Sequence, residues 1–344
     1  MDPDAARVAM LYQDPHPAHK GFAEAVGADL VNYRGREPDR LGDGLPADVA
    51  NGLSLPDYDV FIVEGSRPLY TAVINRLVNG GQLVYLCADH GLYALGAGDF
   101  EGDSLVKSLI GRFGTPAVRA VGSHSIDGVI AVSEFAAEFT RPVVGEDTPI
   151  EIAHPYIEPD LYDDLGEINP DIGGKTAVTV GRASRYKGID LLVDAWSTVR
   201  QTHPDAELHV IGSGHADSYA DTDGVILEGY VEDLPEALAQ ASLFVQPSRM
   251  DTFPVSALEA LRAGLPAVVT TGTGTRSVAR RLDERLVTEP DPPSLAATIS
   301  WYFGCTSSER RAMGDQARKI GESFNARERK AAFRDAFRRV VRSI

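Results

Sequence analysis

Pro247-Ser248-Arg249-Met250-Asp251-Thr252-Phe253-Pro254-Val255-Ser256-Ala257-Leu258-Glu259-Ala260-Leu261-Arg262-Ala263-Gly264-Leu265-Pro266 follows an apolar strand, Leu243–Gln246, and carries a helical pattern over Val255–Ala263. Strand, loop and helix in this order form the repeating half of a parallel α/β layer. The order places Asp251 in the loop at the strand's carboxyl end and Glu259 eight residues later, inside the helix. In an open α/β sheet, ligands bind in the crevice beyond the carboxyl ends of the strands. Two acids there, beside the free backbone N–H groups of a helix start, suit a polyhydroxylated ligand that also carries phosphate.

The same alternation extends in both directions. Upstream it gives strands at Arg7–Leu11, Asp29–Tyr33, Asp59–Glu64, Gln82–Ala88, Gly128–Ser133 and Ile150–Ala153, with helices at Ala18–Val26, Leu69–Val78, Ser104–Phe113 and Glu134–Phe139. The Gly-, Pro- and Asp-rich stretch Arg34–Pro56 reads as a long irregular loop. Periodicity lapses over Pro155–Gly174, the candidate linker. It then resumes with strands Ala177–Gly181, Glu207–Ile211, Gly224–Glu228, Ala267–Thr270 and Leu286–Thr288, and helices Ile189–His203, Leu234–Ala241 and Ser294–Phe303. The expectation is an α/β chain of two Rossmann-like, doubly wound domains facing across a cleft, at residues 1–155 and 176–306, with a linker at 156–175. Residues 307–344 read as carboxyl-terminal helices that pack back on the first domain.

Composition narrows the function classes. The 344 residues carry a formal net charge of -17, with 43% apolar and 24% charged residues. A surface this acidic repels a polyphosphate backbone, which argues against nucleic acid as a partner. Lysine occurs only at positions 20, 107, 175, 187, 319 and 330, arginine supplying the other cations. High acid content with little lysine suits a protein kept soluble in high salt, so a halophilic source is expected. Cys87 and Cys305 lie far apart and outside any metal-ligand spacing, which points to a reducing, cytoplasmic setting. No basic leader precedes the first strand, and no apolar run approaches the ~20 residues of a membrane helix.

The tail reverses the charge balance. From Glu309 onward there are eleven Lys or Arg against five acids. Arg327, Arg329, Lys330, Arg334, Arg338, Arg339 and Arg342 share a helical pattern with Phe333, Phe337, Val340 and Val341. Such a helix can lie on an anionic membrane at the inner face, or bury its apolar stripe on the first domain with its arginines paired to acids; the second reading is preferred.

A second group of residues lies at Thr179-Val180-Gly181-Arg182-Ala183-Ser184-Arg185-Tyr186-Lys187-Gly188-Ile189-Asp190-Leu191-Leu192. A strand ends at Gly181, a helix starts near Ile189, and Arg182 and Lys187 flank the turn. Two cations at a strand's carboxyl edge can neutralise a diphosphate and stabilise it as a leaving group. Val210-Ile211-Gly212-Ser213-Gly214 ends another strand in a turn that lets backbone approach a ligand closely. Thr271-Gly272-Thr273-Gly274 is a weaker signal and does not complete a dinucleotide fingerprint.

Together these blocks, with Gly229-Tyr230-Val231 and Leu238-Ala239-Gln240-Ala241-Ser242-Leu243-Phe244-Val245-Gln246-Pro247-Ser248, resemble the retaining glycosyltransferases of family four, the group 1 glycosyltransferases of GT-B fold. The resemblance runs over most of Thr176–Phe303. It implies transfer of a sugar from a nucleotide-diphosphate sugar to an acceptor hydroxyl of a sugar, lipid-linked or protein-linked molecule, with retained configuration, no cofactor and no metal, in surface glycan assembly. It also implies the site. Arg182 and Lys187 would hold the diphosphate, Glu259 the ribose, and Asp251 the donor-sugar hydroxyls, while the turns at Gly181, Gly212, Ser213, Tyr230 and Val231 line the donor pocket. Thr252, Phe253 and Pro254 stand where the family has Gly-Phe-Gly. Asp251 is one methylene shorter than the family's glutamate, and Pro254 lacks a backbone donor.

Residue patterns leave alternatives. Ser256-Ala257-Leu258-Glu259 also fits a helix capping box in which the glutamate serves only the backbone. His90, after the strand Gln82–Ala88, is a candidate for orienting the acceptor or for capping a strand end. His16 and His19 lie three residues apart with no third ligand evident, so metal is not expected. A non-catalytic nucleotide-sugar-binding protein and a nucleotide-sugar epimerase of the same architecture remain open beside the transferase.

Overall fold

Parallel pairing runs through both halves of the chain. The computed structural model describes residues 1–12, 17–33, 45–89 and 124–344. His16, His90, the expected helix Ser104–Phe113 and the first part of the expected loop lie outside the described residues. Residues Met1–Pro155 and Arg327–Ile344 form one unit, and Tyr156–Ala326 the other.

The first unit is built on β1 (Val8–Tyr12), β2 (Asp29–Asn32), β3 (Val60–Val63), β4 (Gln82–Cys87), β5 (Gly128–Ala131) and β6 (Ile150–Ile152), in the order β2-β1-β3-β4-β5-β6. All neighbours are parallel, with Val8 opposite Val60 and Val84 opposite Gly128. Central strands such as β3, Val-Phe-Ile-Val, are buried along their whole length, as expected where both sheet faces are covered.

The second unit holds β7 (Thr176–Val180), β8 (Glu207–Ile211), β9 (Val225–Gly229), β10 (Leu243–Gln246), β11 (Ala267–Thr270) and β12 (Val287–Thr288), in the order β12-β11-β10-β7-β8-β9. Its core gathers Trp196 and Val199 of the helix Ile189–Thr202 with Leu295, Ile299 and Tyr302 of the helix Pro292–Gly304. The buried Tyr302 hydroxyl donates to Ser242 O at 2.6 Å, so the ring is packed without an orphaned polar end. Each strand expected from the alternation is present, its ends shifted by no more than two residues.

Three stretches differ from expectation. Leu45–Ser54, inside the expected loop Arg34–Pro56, is a helix packed on the helix Ser66–Asn79. Its glycine is a packing residue rather than a turn: a Cβ at Gly52 would lie 2.7 Å from Thr71 O. Buried Asn75 stitches the pair by donating to Gly52 O and Leu55 O at 2.9 and 3.0 Å. The stretch read as a linker holds the helix Pro159–Glu167, in which Pro159 occupies the first turn where its missing N–H costs nothing. Arg318 donates to Gly166 O and Ile168 O at that helix's end.

The tail divides. The helix Ser307–Glu322 belongs to the second unit, opened by a reciprocal Thr306–Glu309 capping box. The helix Ala326–Ser343 belongs to the first unit. There it buries Phe333, Phe337, Val340 and Val341, with Phe333 stacked on Phe22 at 4.2 Å. Its cations pair with acids of the same unit: Lys330 with Glu24 at 3.1 Å, Arg338 with Asp4 at 2.7 Å, Arg339 with Glu151 at 2.9 Å. The apolar stripe is therefore used in packing, and membrane contact through this helix finds no support. Among the described residues no helix is long and apolar enough to cross a membrane.

Candidate functional site

Topology fixes where the second unit can hold a ligand. From β7 the chain steps to β8 and β9 on one side, then returns to place β10 on the other. The loops after β7 and β10 therefore diverge at the sheet's switch point, where crevices open. Backbone geometry brings the loops of the other strands to the same edge. Gly181 N donates to Ile211 O at 2.9 Å, Ala183 N to Ser213 O at 3.0 Å, and Gly212 N to Gly229 O at 2.7 Å. Gly212 has φ 132°, and a Cβ there would collide with Gly181 O, so this approach requires glycine. His215 Nε2 donates to Gly181 O at 2.9 Å and closes the turn from outside.

These loops border a cavity of about 790 Å³ lined by Val180, Gly181, Arg182, Ile211, Gly212, Tyr230, Val231 and the acids Glu232 and Asp233, among others. Its size falls in the range of small-molecule sites. Tyr230 is 81% exposed at its wall, an aromatic surface held outward although a chain of this kind buries most of its rings. Arg182 is exposed and has no ion-pair partner among the described residues. Five of the expected donor-site residues, Gly181, Arg182, Gly212, Tyr230 and Val231, thus share one hollow. Ser213, Lys187, Asp251, Thr252, Phe253, Pro254 and Glu259 are not among its lining residues.

Lys187 and Asp251 form a second group. Lys187 ends the 3-10 turn Arg185–Lys187, its stem packed over Gly181, and its Nζ lies 2.8 Å from Asp251 Oδ2. Asp251 is held by the turn that sequence reading rated weak: Asp251 N donates to Gly272 O and Gly274 N to Asp251 O, both at 2.9 Å. Thr270 Oγ1 donates to Ser248 O beneath the same loop.

A clasp that the sequence reading missed fixes the two loops together. Arg249 makes two hydrogen bonds of 2.7 Å to the Asp190 carboxylate and a third, of 3.0 Å, to Arg185 O. The Arg249 guanidinium holds the Asp190 carboxyl below its ordinary range and is itself raised by it. Arg249 N donates to Tyr186 O at 2.8 Å, and a Cβ at Gly188 (φ 66°) would collide with Pro247 O. An arginine two residues before Asp251 and an acid three residues after Lys187 were the available signals.

The helix Val255–Ala263 begins at Pro254, which gives it no side-chain cap. The capping-box alternative for Glu259 does not hold: Ser256 Oγ donates to Gln246 Oε1 at 3.1 Å, and Ser256 lies inside the helix rather than before it. Glu259 has no hydrogen-bond or ion-pair partner among the described residues, and burial pushes its carboxyl up to about 7. Glu259 is nevertheless part-exposed, and an acid so perturbed beside these loops is a candidate binding group. Thr252, Phe253 and Pro254 are buried, the Phe253 ring lying 6.2 Å from Phe324, so their side chains serve the core and leave only backbone to face a ligand.

In the first unit, His19 Nδ1 lies 2.7 Å from Glu64 Oε2. The pairing occupies the imidazole with a carboxylate, and among the described residues no group of acids, histidines and cysteines is placed to hold a metal ion. Cys87 is buried in the core, donated to by Thr140 Oγ1 at 3.0 Å, and burial pushes its thiol up to about 12.

Comparison with known proteins bears on the second unit and on the fold. Residues 174–303 match the family model Glycosyl transferases group 1. Mannosylfructose-phosphate synthase of Agrobacterium fabrum is 36% identical over 115 residues, which are 28% of this chain and 25% of that protein. A phosphatidyl-myo-inositol mannosyltransferase of Mycobacterium tuberculosis is 29% identical over 184 residues, 51% of this chain and 48% of that protein. The chain thus spans a quarter to about half of the length of these relatives. Among solved structures, Anabaena HepE in complex with UDP and glucose superimposes with a TM-score of 0.69 at 17% identity, covering 98% of this chain and 100% of that one. That likeness gives the fold, GT-B, with its two parallel six-stranded sheets. Over residues 174–303, then, the chain is similar to the group 1 glycosyl transferases.

Proposed function

We propose that this protein is a glycosyltransferase that moves a sugar from a nucleoside-diphosphate sugar to an acceptor hydroxyl with retention of anomeric configuration. One observation carries the reading: the loops after β7, β8 and β9 close on a cavity walled by Arg182, with the Lys187 ammonium and the Asp251 carboxylate held in the adjoining loops. The nucleoside fits the hollow beside Tyr230 and Val231. As the bond between sugar and diphosphate breaks, negative charge grows on the leaving oxygen, and Arg182 and Lys187 stabilise it by charge-assisted hydrogen bonds. Glu259 accepts from the ribose hydroxyls, and the leaving diphosphate takes the proton of the attacking acceptor hydroxyl on the same face. The named relatives, a mannosyltransferase and a sugar-phosphate synthase, and the UDP and glucose held by HepE support a nucleotide-sugar donor and a hydroxylated acceptor.

The test is incubation of the full chain with labelled UDP-, GDP- and ADP-sugars in high salt, with and without sugar and polyol acceptors. Acceptor-dependent release of nucleotide with an α-linked product from an α-linked donor supports the reading. Binding without turnover would replace it with a non-catalytic binding protein, and isomerised donor with an epimerase.

A further inference from the structure

The ion pair between Lys187 and Asp251 sets two charges of the donor site against each other, and this has a consequence for which ligand the site retains. Asp251 is 15% exposed and Lys187 34%, so both are partly withdrawn from water and each depends on a partner. The Asp251 main chain is anchored: its N–H and C=O are both tied to the turn Gly272–Gly274. Lys187 has its stem laid over Gly181 and its base fixed by the Arg249–Asp190 clasp. The Lys187 ammonium is therefore neutralised by the Asp251 carboxylate, while Arg182 stands without an ion-pair partner among the described residues.

A diphosphate entering this site takes the ammonium and brings negative charge toward Asp251. Unless Asp251 gains new donors, it is left beside an anion with its counter-ion withdrawn, and the exchange is opposed. A sugar on the diphosphate supplies such donors, because its hydroxyls donate to a carboxylate. We propose that Asp251 is a specificity-determining residue that makes the site prefer the sugar-bearing donor over the free nucleoside diphosphate, by holding Lys187 until sugar hydroxyls replace it. The proposal rests on the donor-site reading above and adds a property to it: after transfer the hydroxyls leave with the product, Asp251 reclaims Lys187, and the nucleoside diphosphate is expelled.

Calorimetric titration of the full chain with the pairs UDP/UDP-glucose and GDP/GDP-mannose tests this, comparing wild type, Asp251→Asn, Asp251→Glu and Lys187→Gln. In wild type the sugar form of the pair that binds is preferred over the diphosphate. Asp251→Asn, nearly isosteric and uncharged, binds the diphosphate about tenfold more tightly while the sugar form gains less, so the preference collapses. Asp251→Glu restores it. In a Lys187→Gln background both ligands weaken, and adding Asp251→Asn no longer changes their ratio, since the coupling needs both charges. Thermal melts show which variants are folded, and the Asp251→Glu rescue separates lost charge from lost structure. A ratio unchanged by Asp251→Asn, or an equal loss of both affinities, overturns the proposal while leaving the donor site intact. Binding of neither pair by folded wild type removes the donor-site reading itself, and the proposal with it.

Discussion

The carboxyl edges of the two sheets are built by different means. In the second unit the edge is backbone: Gly181, Gly212 and Gly229 joined by main-chain hydrogen bonds, Gly188 pressed under Pro247, and the loops after β7 and β10 cross-linked through Lys187–Asp251 and Arg249–Asp190. In the first unit the described part of the edge also has main-chain hydrogen bonds, Val132 N to Cys87 O at 3.2 Å and Ala153 N to Ala131 O at 2.9 Å, but without such glycine contacts, and adds the side-chain pairs His19 with Glu64 at 2.7 Å and Tyr85 with Asp89 at 3.3 Å. A backbone-built edge tolerates few residue types and is fixed before ligand arrives. A side-chain-built edge can exchange its groups and so suits a variable partner.

The contrast can be broken most directly at Gly212. Gly212→Val places a side chain against Gly181 O at φ 132°, and a loss of about 4 kcal/mol of stability is expected from thermal or urea melts, with nucleotide binding lost. Gly27→Ala in the first unit, where φ is 66° but nothing lies within 4 Å, serves as the comparison and costs about 1 kcal/mol. Equal losses at the two sites would mean that the second edge is no more tightly built than an ordinary turn.

Next in size is the chemistry. Arg182→Ala and Lys187→Ala each lower kcat/KM about 100-fold, measured by nucleotide release, because each removes a cation from the leaving diphosphate. Thermal melts should barely move for Arg182, which has no ion-pair partner among the described residues. Arg249→Ala comes third. It opens the clasp on Asp190, costs about 1 kcal/mol of stability for a partly exposed pair, and raises the donor KM severalfold by loosening Lys187. A variant with unchanged KM would make the clasp a stability device only.

The smallest effect is a pH dependence. The Glu259 carboxyl lies near 7 in the fold, above the ordinary 4.5, so the native state holds its proton over a range in which the unfolded chain has released it. Stability is full below the unfolded value and falls as pH rises from about 4.5 through about 7. Glu259→Gln flattens this slope in melts taken between pH 4.5 and 8. Donor affinity runs the other way, tightening as pH rises through 7, since the ionised carboxylate is the better acceptor for ribose hydroxyls.

What the sequence disclosed follows the same division. The strands, their alternation with helices and the close turns at Gly181 and Gly212 were legible because apolar runs mark buried strands and fixed backbone turns demand glycine. The Leu45–Ser54 helix was not legible, because Gly52 there permits helix contact rather than a turn, and glycine content alone does not distinguish the two. The helix Pro159–Glu167 was missed for a related reason, its proline marking a helix start instead of a break. Arg249–Asp190 joins residues 59 positions apart, and the Lys187–Asp251 pairing joins residues 64 apart. Each residue could be singled out, but which acid meets which cation is set by the switch-point topology.

The central claim is that the edge of the second sheet grips a nucleoside diphosphate through Arg182. Calorimetric titration of the full chain with UDP, GDP and ADP, repeated on Arg182→Ala, measures it most directly. One-to-one binding of at least one of the three, weakened about tenfold or more in Arg182→Ala, is the result this account predicts. Absence of binding by all three, or an affinity that Arg182→Ala leaves untouched, would contradict it.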